Sequence, residues 1–127
     1  MNDGAVNQRQ RVQSYGGNAC VIFPGTQRLI MTGLNGVKPD GVMEKGMRAQ
    51  LERAFLNLIE TCAAAGFKKE QIVRLSATVS EPGRFQLYRE VRDRVFTGQV
   101  LLGSYVQVAG LSSPSLLCEL EAEAVRE

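Results

Sequence analysis

The sequence predicts an α+β fold: one sheet covered on one face by two helices, with elements in the order β-β-α-β-α-β-β. Three observations carry this. Apolar residues recur at helical spacing in two stretches, and short alternating or apolar segments of strand length lie around them. The 127 residues, 44% hydrophobic and 22% charged, suffice for one core and not two. Two amphipathic helices can cover only one face of such a sheet, so the other face is expected to meet another copy of the chain.

Each element follows from its residues. Residues 1–16 read as a flexible N-terminal arm, dominated by Asn, Gln, Arg, Gly and Asp with Tyr15 its only aromatic, and 17–127 as the single domain. The Gly16-Gly17 pair ends the arm. Ala19 to Phe23 is an apolar run of strand length, Pro24-Gly25 a turn signal, and Arg28 to Thr32 a second run closed by Gly33. Together they predict a hairpin. Residues 34–46, with Gly36, Pro39, Gly41 and Gly46, predict a loop. A helix is predicted over about 44–65, because Met47, Leu51, Ala54, Phe55, Leu58, Ile59 and Cys62 form one stripe and Gly66 is a good stop.

Residues 72–79 predict a strand whose apolar face is Val73, Leu75, Ala77 and Val79. Ser80 is the expected N-cap of a second helix, with Pro82 in its first turn and Leu87, Tyr88, Val91 and Val95 as its stripe. Gln99 to Ala109 is a further strand region, and 110–115 a loop. Leu116 to Val125 is the last strand, with Cys118, Leu120, Ala122 and Ala124 on one face and Glu119, Glu121 and Glu123 on the other.

Composition narrows the function. Fifteen basic against 13 acidic residues create no broad positive field, so nucleic acid is not an expected partner. No His is present, which removes Ser–His and Cys–His pairs, imidazole metal ligands and the usual base near neutral pH. Acid–base work falls to Glu, Asp, Cys, Lys, Tyr or water. Cys20, Cys62 and Cys118 are odd in number and widely spaced, so they read as buried thiols in a reducing compartment. No segment has the make-up of a secretory signal or the ~20 apolar residues of a membrane span. A cytoplasmic protein with no membrane partner, metal or cofactor is expected.

Over about residues 16–126 the chain resembles the reactive-intermediate deaminase (Rid, or YjgF-like) family. The resemblance rests on Leu29-Ile30-Met31-Thr32-Gly33, on the long helix ending Ala64-Ala65-Gly66, on the strand 72–79 and on the helix with Phe85 and Tyr88. Its most specific stretch is Val106-Gln107-Val108-Ala109-Gly110-Leu111, followed by Leu117-Cys118-Glu119-Leu120-Glu121-Ala122. The resemblance implies a chorismate-mutase-like or YjgF-like domain, a homotrimer around a central β-barrel, and a pocket at each subunit interface. It also implies hydrolysis of enamines and imines such as 2-aminoacrylate to keto acids and ammonia, without a metal.

It implies a site as well. Glu119 matches the family carboxylate that positions water and is the expected catalytic residue. Thr32 and Gly33 match the ligand-binding end of the first hairpin. The family's carboxylate-gripping Arg stands three residues before the V-x-V-A motif, where this chain has Gly103, so Gly103, Ser104 and Tyr105 are expected to line an altered pocket. The family's N-terminal Tyr falls near Ala19, with Tyr15 a loose substitute, and a common helix Asn falls at Arg89, a candidate replacement cation. Three functions stand as alternatives. They are hydrolysis of a small enamine, imine or related metabolite; binding of such a metabolite without turnover; and the ribonuclease or translation-inhibitor role attached to some relatives. Near-neutral charge and the lack of His argue against the last.

Overall fold

A computed structural model describes residues 8–15, 17–23 and 25–127. Residues 1–7 of the expected arm, Gly16 and Pro24 lie outside the described residues. The strands are β1 (Gln8–Arg11), β2 (Asn18–Phe23), β3 (Gln27–Leu34), β4 (Ile72–Val79), β5 (Tyr105–Gln107) and β6 (Cys118–Arg126). The helices are α1 (Met47–Ala64) and α2 (Phe85–Val95), with a short 3-10 turn at Lys69–Gln71. The six strands form one sheet in the order β1-β2-β3-β6-β4-β5. Every neighbouring pair is antiparallel except β4–β5, whose connection runs through α2.

The α+β class, the hairpin and both helices agree with the sequence reading, and several boundaries move. Residues 8–11 are not part of an arm but pair with β2, Gln8 opposite Phe23 and Arg11 opposite Cys20. Backbone pairing at a sheet edge needs no apolar pattern, so polarity hid this strand. The segment after it is also tied down, with Tyr15 N–H donating to Thr61 Oγ1 at 2.9 Å. Helix α1 starts three residues later than expected, after Gly46 at φ 88°. Ser80 does not cap α2; its N–H donates to Leu117 O at 3.0 Å, and the helix begins only after a turn through Gly83 at φ 73°. The strand expected over 99–109 shrinks to three residues, preceded by a single bridge between Leu102 and Arg74.

Both helix stripes turn onto the same sheet face. Leu51, Ala54, Phe55, Leu58 and Cys62 of α1 are buried against Leu29, Met31 and Leu34 of β3 and against Leu120, Ala122 and Ala124 of β6. Tyr88 and Val91 of α2 join them with Phe96, and the Phe55 ring lies 6.0 Å from Tyr88 and 6.1 Å from Phe96. The opposite sheet face carries the alternate residues, among them Glu119, Glu121 and Glu123 of β6, opposite Thr78, Ser76 and Arg74 of β4.

Two bulges set which side chains face where. Between Ile72 and Arg74, two steps on β4 oppose one on β6, so Ile72 and Leu75 both enter the core and Val73 and Arg74 both lie outside it. The expected alternation, with Val73 inward, therefore fails at its first residues. The carbonyl of Val73 receives the N–H of Leu102 at 3.1 Å. Between Met31 and Leu34, three steps on β3 oppose two on β6, and Gly33 sits there at φ 68°. A glycine in left-handed backbone is what such a bulge selects.

Three polar residues of α1 are buried and bonded. Gln50 donates to Glu44 O and Ser115 O and accepts from Leu117 N–H. Asn57 donates to Asn35 O and Val37 O, and Thr61 Oγ1 donates to Asn57 O. They fasten the loops flanking α1 to the helix.

Candidate functional site

The glutamate row of β6 differs from one residue to the next. Glu123 is paired on both sides, with Arg28 Nε at 2.7 Å and Arg74 Nη2 at 3.0 Å. The Arg28 hydrogen bond above all, with Arg74 beside it, pulls its carboxyl below the usual range. Glu121 is exposed. Glu119 is half-buried and makes no ion pair or hydrogen bond among the described residues. Burial pushes its carboxyl up, and the negative charge of Glu121 adds to that.

The β3 bulge lies beside this carboxylate. A Cβ added at Gly33 would stand 3.9 Å from Glu119 Oε1. A Cβ at Gly17 would collide with the Thr32 carbonyl, so only glycine lets the start of the β2 region approach this close. Gly33 is thus the residue of the β3 bulge that stands beside Glu119, with Thr32 next to it in the chain. A carboxyl that keeps its proton more readily than usual can exchange a proton with a bound molecule or hold a water.

Gly103, Ser104 and Tyr105 form a second group along the sheet edge. Tyr105 pairs with Ala77 of β4 and turns toward the helices, whereas Glu119 pairs with Thr78 and faces away from them. Within one chain β4 separates the two groups. Gly103 itself is tightly packed: a Cβ there would collide with the carbonyl of Leu75. Glycine is needed because two backbones touch. Ser104 N–H donates to Ser76 Oγ at 3.1 Å.

The space lies beside this segment. A cavity of about 360 Å³ is lined by Gly103, Ser104, Tyr105, Leu75 and Leu101 and, from α2, by Phe85, Tyr88 and Arg92. Arg89 does not line it. It is exposed, with its guanidinium 5.7 Å from the centre of the Phe85 ring. Arg92 is the residue the sequence reading missed. Its position, four after Tyr88, was the available signal, since side chains at i and i+4 share a helix face. Tyr15 lines a separate cavity with Lys38 and Asn57, and Ala19 is buried.

Among the described residues no group of three or more His, Cys, Asp or Glu is placed to hold a metal. No helix among them is long and apolar enough to cross a membrane.

The family model described as endoribonuclease L-PSP matches residues 18–126. A comparison with functionally curated proteins finds no match. Among solved structures, the chain is similar to RidA from the Antarctic bacterium Psychrobacter sp., at 22% identity and TM-score 0.82 over 93% of this chain and 100% of that one. It is similar to a Mycobacterium tuberculosis member of the YjgF family, at 24% identity and TM-score 0.77 over 94% and 100%. It is also similar to Escherichia coli TdcF with bound serine, at 24% and 0.75 over 84% and 86%.

Proposed function

The chain belongs to the endoribonuclease L-PSP family, also called YjgF/Rid, and on that footing we propose that it binds and hydrolyses a small enamine- or imine-type metabolite, with Glu119 as the catalytic carboxylate. The observation that carries this is the half-buried Glu119 beside the Gly33 bulge, unpaired among the described residues, its acidity weakened by burial. A neighbouring copy in a homotrimer completes the cleft. It covers the sheet face the helices leave open and brings the 103–105 segment toward a Glu119. The serine held by the E. coli relative supports a ligand of that size.

The chemistry is a balanced hydration. An enamine accepts a proton at carbon and becomes an iminium ion. Water adds to its carbon and loses a proton, and the resulting aminoalcohol passes its hydroxyl proton to nitrogen, expels ammonia and leaves a carbonyl. Glu119 would deliver the first proton and take one back from the attacking water, work that a weakened acid suits. With glycine at residue 103 no guanidinium grips a substrate carboxylate there, so 2-aminoacrylate itself is not the substrate assigned.

The same close-packed glycine favours a second reading, a trimeric module that binds a metabolite without turnover. A ribonuclease is not assigned, because the chain has no His and its charge is near balance.

The test supplies enamines generated in situ from amino acids by a dehydratase or an oxidase and measures keto acid and ammonia. Turnover that Glu119→Ala abolishes supports the hydrolase. Saturable binding without turnover supports the module. If neither occurs, or if the protein runs as a monomer on gel filtration with light scattering, the reading falls.

A further inference from the structure

We propose that the cavity between residues 14–15, the turn 37–41 and α1 is a second ligand site that takes a small 2-hydroxycarboxylate, its carboxylate on Lys38 and its hydroxyl on Asn57. The cavity measures about 250 Å³, and Ser14, Tyr15, Val37, Lys38, Pro39 and Asn57 are among the residues lining it. None of them stands beside Glu119 or lines the cavity beside α2. Its walls come from three parts of the chain, and each is tied down. Tyr15 N–H donates to Thr61 Oγ1 at 2.9 Å, which holds 14–15 on α1. Lys38 N–H donates to Val42 O at 2.9 Å and Gly41 N–H to Lys38 O at 2.8 Å, closing the turn, and Val37 pairs with Met43. Asn57 donates to Asn35 O and Val37 O, both at 2.9 Å, and so fixes that turn to the helix. A site whose walls are already fastened loses little to ordering when a ligand binds.

Three polar groups of this cavity have no partner among the described residues. Asn57 is only 2% exposed. Its amide hydrogens are used, and its carbonyl oxygen accepts no hydrogen bond among those residues. The Ser14 hydroxyl is shielded from solvent and bonded to none of them, and rotation about its one side-chain torsion can turn it into the cavity. Lys38 is half-buried, makes no ion pair among the described residues, and is the only charged side chain on the wall. Buried polar groups are nearly always hydrogen-bonded, so such orphans call for a partner. The wall offers one cation, one acceptor and a hydroxyl able to donate or accept. A cation without an acid calls for an anion, and an acceptor without a donor calls for an O–H or N–H. A hydroxyl fits better than an ammonium, because a zwitterion brings no net charge to offset Lys38. Size limits the rest. Small-molecule sites run from roughly 300 Å³ upward, so this one holds only a few heavy atoms beyond the carboxylate. Tyr15, Val37 and Pro39 supply apolar surface for the carbon.

Amide NMR titration with glycolate, methoxyacetate, glycolamide and glycine tests the site. Glycolate should saturate and shift the amides of Tyr15, Lys38, Gly41 and Asn57. Methoxyacetate, which has no donor, and glycolamide, which has no charge, should each bind at least about tenfold more weakly, and glycine should also bind more weakly than glycolate. Lys38→Gln should bring glycolate down to the glycolamide level, whereas Lys38→Arg should retain most of the binding. Circular dichroism checks the fold of each variant, and the comparison among probes needs no variant at all. Shifts confined to the surroundings of Glu119 or Tyr105 overturn the proposal. So do glycolate no tighter than methoxyacetate or glycolamide, glycine tighter than glycolate, normal binding by Lys38→Gln, or no saturation. The readout is independent of turnover. Glu119→Gln should leave the glycolate shifts intact, and their loss in that variant would overturn the inference. Turnover absent while glycolate still binds would count against the hydrolase reading alone.

Discussion

Gln50 Oε1 accepts a 2.8 Å hydrogen bond from the N–H of Leu117, two residues before Glu119. The same amide donates to Ser115 O at 2.8 Å and Glu44 O at 3.0 Å. A core side chain of α1 therefore holds the turn that launches β6. Gln50→Leu would leave one N–H and two carbonyls without partners inside the protein. Each such loss costs roughly 1–3 kcal/mol when buried. We expect a net destabilisation of about 2–4 kcal/mol, read from denaturant unfolding.

Gly103 and Gly110 form a matched pair of glycines. A Cβ at Gly103 collides with the backbone of β4, while one at Gly110 meets nothing within 4 Å. Gly103→Ala should cost about 1–3 kcal/mol through forced backbone movement. Gly110→Ala should stay within about 0.5 kcal/mol of the parent. Thermal melts of the two variants side by side provide the check.

The two outer glutamates of β6 should show opposite pH behaviour. Glu123 is more acidic folded than unfolded, so its pairing with Arg28 and Arg74 stabilises above the usual carboxylate range and is lost as pH falls through its lowered value. Glu123→Gln should cost about 1 kcal/mol or less at pH 7, with the gap closing in acid.

Glu119 is less acidic folded than unfolded, so its ionised form opposes folding once pH exceeds the usual carboxylate range. Glu119→Gln should be as stable as the parent or more so at pH 7, and indistinguishable in acid. A marked loss of stability at pH 7 would contradict the burial assigned to it. Chemical denaturation across pH 3–8 tests both residues, a range spanning about the ordinary carboxylate titration.

The buried thiols should be silent. Burial pushes Cys62 up to about 11 and Cys118 up to about 12. At mildly alkaline pH neither supplies thiolate. Alkylation followed by peptide mass spectrometry should leave both unmodified in the folded protein and modify both after denaturation.

The part of the fold legible in the sequence is the part governed by regular period. The α1 stripe is buried from Met47 to Cys62, with Ile59 partly so, and the glutamates of β6 all face away from the helices. The concealed part depends on departures from period or on contacts distant in sequence. Each bulge adds one residue and shifts the parity of its strand, so simple alternation puts Ile72 and Val73 on the wrong faces. Strand β1 exists through backbone pairing, which leaves no side-chain pattern. Gly103 reads as a missing side chain because its contact, the Leu75 carbonyl, lies 28 residues away in sequence. The family resemblance points to Arg89, whereas the helix places Arg92, not Arg89, on the cavity wall.

The interior pattern of β4 would be complete without Val73: with it excised, Ile72, Arg74 and Leu75 would alternate in, out, in. Its carbonyl nevertheless receives Leu102, at the root of the aromatic-lined segment. Shortening the chain by that one residue would spare the hydrophobic interior and strip the neighbouring edge of one tether, leaving those from Leu75 N–H to Leu102 O and from Ala77 N–H to Ser104 O, so the supernumerary valine acts through its backbone rather than its side chain.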